Sequence, residues 1–258
     1  MVNAEPSPPL SESQALRKSL YLVGSTLQAV DTDGPRLLIT SQHKPTLRIP
    51  FQRISRIVCG PNTHWRGQAI TNCLSRNIPI IWLDRHHHPV GDAHPVHSQK
   101  SQTHRVVEHY VDLPQWREHY DNWLRHRRMD LLKRYQRQTG ITGKAFNTLK
   151  RELVYQERFQ SPHGPHLLAA CQAATNARLA QEQCQVRYWG YDGQPLELAA
   201  DLGSLLWVEF SLFQPQVDEN AQAGIQRFET WWRRHGHLIE WHMASLNQHL
   251  HMAIESWP

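Results

Sequence analysis

The pattern of hydrophobic residues changes near residue 98, and this change restricts the chain to folds with two different parts. Before it, short apolar runs such as SLYLVG, PRLLIT and IPIIWLD are separated by turn-forming steps such as Asp33-Gly34-Pro35, as is typical of β-strands. After it, apolar residues such as Trp116, Tyr120, Trp123 and Leu124 recur at helical spacing. The sequence therefore predicts an α+β protein, with a β-rich, sandwich-like N-terminal domain followed by an all-helical C-terminal domain.

Composition adds boundaries to this division. We expect a loose polar tail over residues 1–18, a β-rich domain over 19–97, a linker over 98–113 and a helical domain over 114–258. The tail lacks the apolar core of a signal peptide, and no window approaches the roughly 18 apolar residues of a membrane span. The four cysteines have no zinc-ribbon spacing, so we expect reduced thiols in a cytoplasmic protein without membrane contact.

Positive charge is concentrated in one segment of the chain. Residues 115–160 contain eleven Lys/Arg and five Asp/Glu, whereas the whole chain has a formal net charge of +5. Such a segment is expected of a surface that binds phosphate groups, although a solvated helix face without a partner has the same composition. The predicted DNA-binding residues are Arg66, Arg125, Arg127, Arg128, Lys133, Arg134, Arg137, Lys144, Lys150 and Arg151.

Two other residue groups have less specific patterns. His86, His87, His88, His94 and His97 lie in one turn region; they could bind a transition metal, but an exposed histidine-rich turn explains them as well. Most of the ten tryptophans are expected in the core. Trp65 and Trp189 are the better candidates for stacking on unpaired bases.

The segment GPNTHWRGQAITNCLSRNIPIIWLD resembles the N-terminal domain of the CRISPR-associated Cas1 integrases. In that family a strand leads into a short helix, and the next strand is an Ile-Pro-apolar run, matched here by Asn77 to Leu83. The resemblance covers about residues 19–213 and is strongest over 54–92. It implies dimerisation through the N-terminal domain, a Cas2-like dimer or an active Cas1 paralogue as partner, and insertion of captured DNA into a CRISPR array.

The resemblance also implies a metal site built from a Glu, a His and an Asp, which would bind Mg²⁺ or Mn²⁺ in an active member. In Thr142-Gly143-Lys144-Ala145, Thr142 occupies the position of the Glu, and no His follows Gly190-Tyr191. The Asp is retained as Asp201 in LELAADLGSLLW. A neutral hydroxyl does not supply the charge that Mg²⁺ prefers.

These residues leave three functions open. The first is a Cas1-like protein that dimerises and binds DNA with little or no catalytic activity. The second is a divergent but active metal-dependent integrase or endonuclease, in which Glu152, Glu157, His163 or His166 replaces the missing ligands beside Asp201. The third is a protein-interaction subunit without enzymatic activity, in which the basic helix is only a soluble surface.

Overall fold

Two four-stranded sheets form the N-terminal part of the protein. The computed structural model describes residues 17–42, 44–96, 101–155, 165–214 and 221–256. The N-terminal elements are β1 (Lys18–Leu22), β2 (Gln28–Asp33), β3 (Arg36–Ser41), β4 (Lys44–Pro50), a 3₁₀ turn (Phe51–Arg53), β5 (Ile54–Cys59), β6 (Thr63–Trp65), α1 (Gly67–Leu74), β7 (Ile80–Leu83) and β8 (Pro89–Ala93). The strands predicted before residue 60 and the helix after Arg66 are thus confirmed.

The first sheet has the strand order β1-β5-β7-β8, and the second has the order β4-β3-β2-β6. In the first sheet β1, β5 and β7 run parallel, and β8 pairs antiparallel with β7. The hairpin strands β2, β3 and β4 are antiparallel, and β6 adds a parallel edge beside β2. Leu22, Val30, Leu37, Ile57 and Ile80 share the core that these sheets form with α1.

The central strand β5 is buried on both faces, and its last three residues, Ile57, Val58 and Cys59, form a buried run without a charged side chain. Because side chains alternate along a strand, Ile57 and Cys59 face the core of the N-terminal part, while Val58 points to the opposite side. On that side Val58 packs with Ile81 and with Ala169 of a helix in the C-terminal part. The small alanine side chain lets this helix lie close to the sheet.

Seven α-helices account for most of the described C-terminal residues. They are α2 (Gln102–Val111), α3 (Trp116–Thr139), α4 (Gly143–Lys150), α5 (Pro165–Gln181), α6 (Leu198–Phe213), α7 (Ala221–His235) and α8 (His237–Glu255). A π-helical turn (Arg151–Tyr155) follows α4, and a small hairpin, β9 (Tyr188–Trp189) and β10 (Pro195–Leu196), precedes α6. The helical prediction is confirmed, although this hairpin was not foreseen. Helices α7 and α8 meet at Gly236.

Helix α2 lies where the sequence suggested a linker. The side chain of Ser101 caps it by accepting a hydrogen bond from the backbone N–H of His104 at 3.1 Å. Val107 and Tyr110 are fully buried in the helical core. Residues 102–111 are therefore not a linker, because one face of this helix covers the C-terminal core.

An ion pair joins the two parts of the chain. Arg56 of β5 is buried and lies 2.5 Å from Glu229 of α7, which also accepts a hydrogen bond from the Tyr21 hydroxyl at 2.8 Å. Burial and the negative charge of Glu229 raise the pKa of Tyr21. A buried arginine requires such a partner, so this contact fixes the position of α7 against the first sheet.

The described part of the chain contains no helix long and apolar enough to cross a membrane. All four cysteines are buried and free. Burial raises the pKa of Cys59 to about 12, so this thiol stays protonated at neutral pH.

Candidate nucleic-acid interface and carboxylate site

Helix α3 has an exposed side and a buried side, and its arginines lie on both. Arg125, Lys133 and Arg137 are exposed, as predicted for residues that contact phosphate groups. Arg127 and Arg128 are each only 7% exposed. Their burial contradicts the prediction that they line a phosphate-binding surface. The physical reason is their spacing, because they follow Trp123 and Leu124 by one helical turn on the buried stripe.

Arg127 is held by contacts with its own helix and with α8. Its guanidinium lies 3.6 Å from the centre of the Trp241 ring, a cation–π contact, and pairs with Asp130 at 3.3 Å. A second nitrogen of the guanidinium lies 3.4 Å from Nδ1 of His242. Burial lowers the pKa of Arg127. This arginine therefore joins α3 to α8.

Arg134, a further predicted DNA contact, forms an ion pair with the buried Glu209 of α6. His242 lies 3.5 Å from the same carboxylate. Burial and the charges of Arg127 and Arg134 lower the pKa of His242 to about 3, so this imidazole is neutral at pH 7 and its contact with Glu209 is not an ion pair. The side chain of Arg134 is one-third exposed, which leaves part of it at the surface beside Lys133 and Arg137.

The other predicted cations remain accessible to solvent. Lys144 and Arg151 are exposed, and Lys150 is half-buried with its amine 5.8 Å from the centre of the Tyr155 ring. Arg66 lies in the N-terminal part, where it is 79% exposed and pairs with Asp31 at 3.0 Å. The accessible cations of α3, α4 and the π-helical turn thus form the candidate nucleic-acid interface: Arg125, Lys133, Arg134, Arg137, Lys144, Lys150 and Arg151.

Thr142 occupies the N-cap position of α4. Its backbone is extended and its side chain is exposed without a capping hydrogen bond. Because the hydroxyl is neutral, Thr142 brings no negative charge to the start of this helix.

Asp201 lies in the first turn of α6 and is half-buried. The phenol of Tyr120 on α3 is fully buried and close to this carboxylate. Burial, and then the charge and hydrogen-bonding capacity of Asp201, raise the pKa of Tyr120. Asp201 is therefore placed against the aromatic side chain of Tyr120. On α3, Tyr120 follows Trp116 by one helical turn.

The β9–β10 hairpin is pressed onto Trp116. The carboxylate of Asp192 accepts hydrogen bonds from Trp116 Nε1 at 3.4 Å and from the backbone N–H of Gln194 at 3.0 Å. A Cβ atom at Gly190 would lie 2.5 Å from Trp116 Nε1, so only glycine fits there. Trp116 and Tyr120 thus pack against the segments that carry Asp192 and Asp201.

These side chains do not make a good site for a divalent cation. Such a cation requires several charged oxygen ligands or imidazoles; here one matched position has a neutral hydroxyl, and Asp201 faces a phenol. Among residues 17–42, 44–96, 101–155, 165–214 and 221–256, no group of three His, Cys, Asp or Glu side chains is placed to hold a metal ion. Glu152 lies half-buried on the π-helical turn. Glu157, His163 and the side chain of His166 lie outside the described residues.

The histidine-rich turn does not gather its histidines in one place. Asp84 accepts hydrogen bonds from the backbone N–H groups of His86 and His88, at 2.7 and 2.9 Å, and so shapes the turn. His94 instead points to α5, where its Nε2 lies 3.2 Å from the carbonyl oxygen of Asn176. His97 lies outside the described residues.

The two tryptophans proposed for base stacking differ in exposure. Trp65 is partly buried and packs edge-on against Trp82, with ring centres 6.3 Å apart. Trp189 is 62% exposed on the β9–β10 hairpin, next to the equally exposed Tyr191. Trp189 is therefore the more accessible of the two for stacking on a base.

One cationic feature was missed in the sequence. A groove of about 450 Å³ lies along α7, and its lining includes Arg227, Thr230, Arg234 and His235 together with Gln214 at the end of α6. The sequence contains the pattern of this groove, because Arg227, Thr230 and Arg234 are spaced by three and four residues and therefore share one face of α7. The basic run Arg233-Arg234-His235 lay outside the segment in which positive charge was sought.

The chain is similar to known proteins in both sequence and structure. Residues 21–162, more than half of its length, match the family model for "CRISPR associated protein Cas1". Among solved structures, a Cas1 protein from Thermotoga maritima aligns with a TM-score of 0.66 at 14% identity, covering 90% of this chain and 97% of that chain. The structure of a TtCas1–DNA complex aligns with a TM-score of 0.60 at 13% identity, covering 90% and 91%.

A casposase bound to an integration product also aligns, with a TM-score of 0.50 at 13% identity over 83% of this chain and 73% of that chain. No curated protein sequence gives a significant match. At such low identities the aligned structures establish the fold.

Proposed function

Because this chain belongs to the family of CRISPR-associated Cas1 proteins, we propose that it is a DNA-binding member of the CRISPR adaptation machinery with little or no catalytic activity of its own. The observation that carries this proposal is the contrast between its two kinds of charged residue. Several cations of α3 and α4 face solvent, namely Arg125, Lys133, Arg137 and Lys144, whereas the one retained carboxylate, Asp201, faces the buried phenol of Tyr120.

The exposed cations support DNA binding. Arg125, Lys133 and Arg137 lie on the solvent side of α3, and Lys144 and Arg151 lie on the elements that follow. Contacts of this kind attract the phosphate backbone of any sequence, as a protein that handles foreign DNA requires. The aligned TtCas1 was solved as a complex with DNA.

The donor atoms near Asp201 support the loss of catalysis. An active relative would need a carboxylate where this chain has Thr142 and an imidazole where it has none. A metal ion bound in an active member would polarise the phosphodiester that is attacked, but the residues present here do not fit Mg²⁺ or Mn²⁺. We therefore assign to Asp201 no catalytic step.

The family relationship also suggests the partners. We infer a homodimer that forms through residues 19–97, together with a Cas2 dimer or a catalytically active Cas1 protein that supplies the missing chemistry. In this assembly the present chain would hold DNA and position it.

A binding titration tests the first half of the proposal. We expect the full chain to bind a fluorescein-labelled DNA duplex, with the affinity falling by orders of magnitude between about 50 and 200 mM salt. Replacing Lys133 and Arg137 by Gln should weaken binding about thirtyfold and reduce the salt slope by about two. The matched control is Arg36→Gln with Arg53→Gln, which removes the same charge from exposed positions in the N-terminal part.

Equal weakening by both double variants would show that only net charge matters, and absence of salt-sensitive binding would favour a protein-interaction subunit. An integration assay with Mn²⁺ tests the second half. We expect no joining of DNA ends by the wild-type chain. Joining that disappears on Asp201→Ala would establish an active enzyme instead.

A further inference from the structure

The groove along α7 has the features of a site for a phosphate group. Arg227, Thr230 and Arg234 follow one another at intervals of three and four residues, so their side chains leave the helix on one face. Gln226 extends this face, and Gln214 at the C-cap of α6 forms the facing side. The lining residues that the structure describes include two arginines and a histidine and no carboxylate.

Aromatic packing keeps the floor of the groove rigid. Trp231 is buried, and its ring stacks on that of His235 with centres 5.2 Å apart and planes 15° apart. Nδ1 of His235 lies 2.9 Å from the carbonyl oxygen of Trp231, which fixes the imidazole. The guanidinium of Arg227 lies 5.4 Å from the centre of the Phe210 ring. Side chains held in this way lose little conformational freedom when an anion binds.

The groove lies near the cationic end of α3. Gln214 directly follows Phe213, the last residue of α6. The ring of Phe213 contacts α3: the guanidinium of Arg134 lies 4.7 Å from the ring centre, and the ring of Tyr135 packs edge-on at 5.9 Å. The cationic end of α3 and the groove therefore both border the end of α6.

The groove is separate from the carboxylate site. Asp201 and Phe213 are at opposite ends of α6, and twelve residues of helix span about 18 Å. A ligand in the groove would therefore not contact Asp201.

We propose that this groove binds a phosphodiester group of a nucleic-acid strand whose path continues onto the end of α3. This inference rests on the proposed function, because it places a second set of phosphate contacts on the same bound DNA. The groove volume of about 450 Å³ is within the usual range for small-ligand sites. The exposed Arg234 supplies positive charge, and Thr230 and Gln226 add neutral polar groups.

Two neighbouring arginines provide the test. Arg234 lines the groove, whereas the exposed Arg233 does not belong to the lining and donates from Nε to the backbone carbonyl of Glu229 at 3.3 Å. Arg234→Gln and Arg233→Gln thus remove the same charge from adjacent positions. We expect Arg234→Gln to weaken binding of a labelled 20-nucleotide strand about tenfold, with a salt slope reduced by about one. Arg233→Gln should change the affinity less than twofold.

Competition identifies the source of the phosphate. Inorganic phosphate and thymidine monophosphate should displace the strand only at concentrations far above those needed with unlabelled DNA, because they make one contact and not several. A nucleotide that competes as well as DNA would overturn the assignment to a polynucleotide. Arg234→Lys keeps the charge without the planar fork and should lie between wild type and Arg234→Gln.

Circular dichroism melting shows that each variant is folded. Equal losses in Arg233→Gln and Arg234→Gln, in a chain that still binds DNA with salt dependence, would reject the groove and leave the proposed function intact. Absence of salt-sensitive binding by the wild-type chain would reject both.

Discussion

The two ends of helix α6 are built from different contacts. At its start, Asp201 is next to the buried phenol of Tyr120, and the hairpin before it is packed on Trp116. At its end, Glu209 pairs with Arg134, and Gln214 borders the cationic groove of α7. The first end therefore places a half-buried carboxylate against an aromatic ring, whereas cations border the second end.

Under the proposed function, this difference explains how DNA binding is kept while catalysis is lost. A metal site needs several donors placed within a few tenths of an ångström, so the loss of one ligand weakens it severely. A phosphate-binding surface sums many separate contacts and tolerates the loss of some of them. The cationic end also has a structural foundation, because ion pairs with Glu209 and Glu229 anchor the helices that carry it.

The largest effect is expected from removing the anchor of α7. Glu229→Ala leaves Arg56 buried without its carboxylate, and we expect a loss of about 3–5 kcal/mol in the free energy of unfolding. Urea denaturation measures this loss. Glu182→Ala is the matched control, because Glu182 pairs with the more exposed Arg178 at 2.6 Å and should contribute no more than about 1 kcal/mol. Similar values for the two variants would mean that Arg56 does not depend on Glu229.

A smaller effect is expected from pH at the network around Glu209. His242 has a pKa of about 3 in the folded protein and about 6.5 when unfolded. The unfolded chain therefore takes up the proton first as the pH falls, and stability decreases below pH 6.5. Between pH 7 and pH 5 this residue should lower the unfolding free energy by about 2 kcal/mol.

His242→Gln should remove that part of the pH dependence, as seen in urea titrations at both pH values. The exposed His119 is the control position, and His119→Gln should keep the wild-type slope. An unchanged slope in His242→Gln would contradict a depressed pKa.

The smallest effect is expected from a substitution at Thr142, the position at which the family resemblance places a Glu. Thr142→Glu restores a carboxylate at the start of α4, where the helix dipole favours negative charge. Since the position is exposed, stability should stay within about 0.5 kcal/mol of wild type and of the uncharged control Thr142→Gln. With the imidazole still missing, Mn²⁺-dependent DNA joining should remain absent. Activity gained by this single change would show that the site near Asp201 is more complete than proposed.

The N-terminal fold could be predicted from the sequence because each strand there is short and bounded by turn residues. Strand β5 is buried on both faces, and the run Ile57-Val58-Cys59 at its end is typical of such a strand. Helix α2 was missed because the polar residues around Ser101 resemble a linker. The spacing of Val107, Tyr110 and Val111 would have revealed a buried face.

The candidate site was less predictable, because a sequence shows where charge lies along the chain and not which charges converge in space. Arg127 and Arg128 could have been recognised as buried from their place on the apolar stripe of α3. Tyr120 lies close to Asp201 although the two are about 80 residues apart in the sequence. Gln214 and Arg234 line the same groove from two different helices. Such contacts depend on the packing of α6 against its neighbours, which no local pattern encodes.

The contact between the first sheet, through Val58, and helix α5, through Ala169, has a consequence for the chain as a whole. Each half of the chain covers apolar surface of the other. Separating the halves would expose Ile81 and Leu83 to water and would leave Arg56 without its partner Glu229. The strand-built half and the helical half should therefore melt in one cooperative transition. Fragments produced by a cut between them should remain associated as a complementing pair.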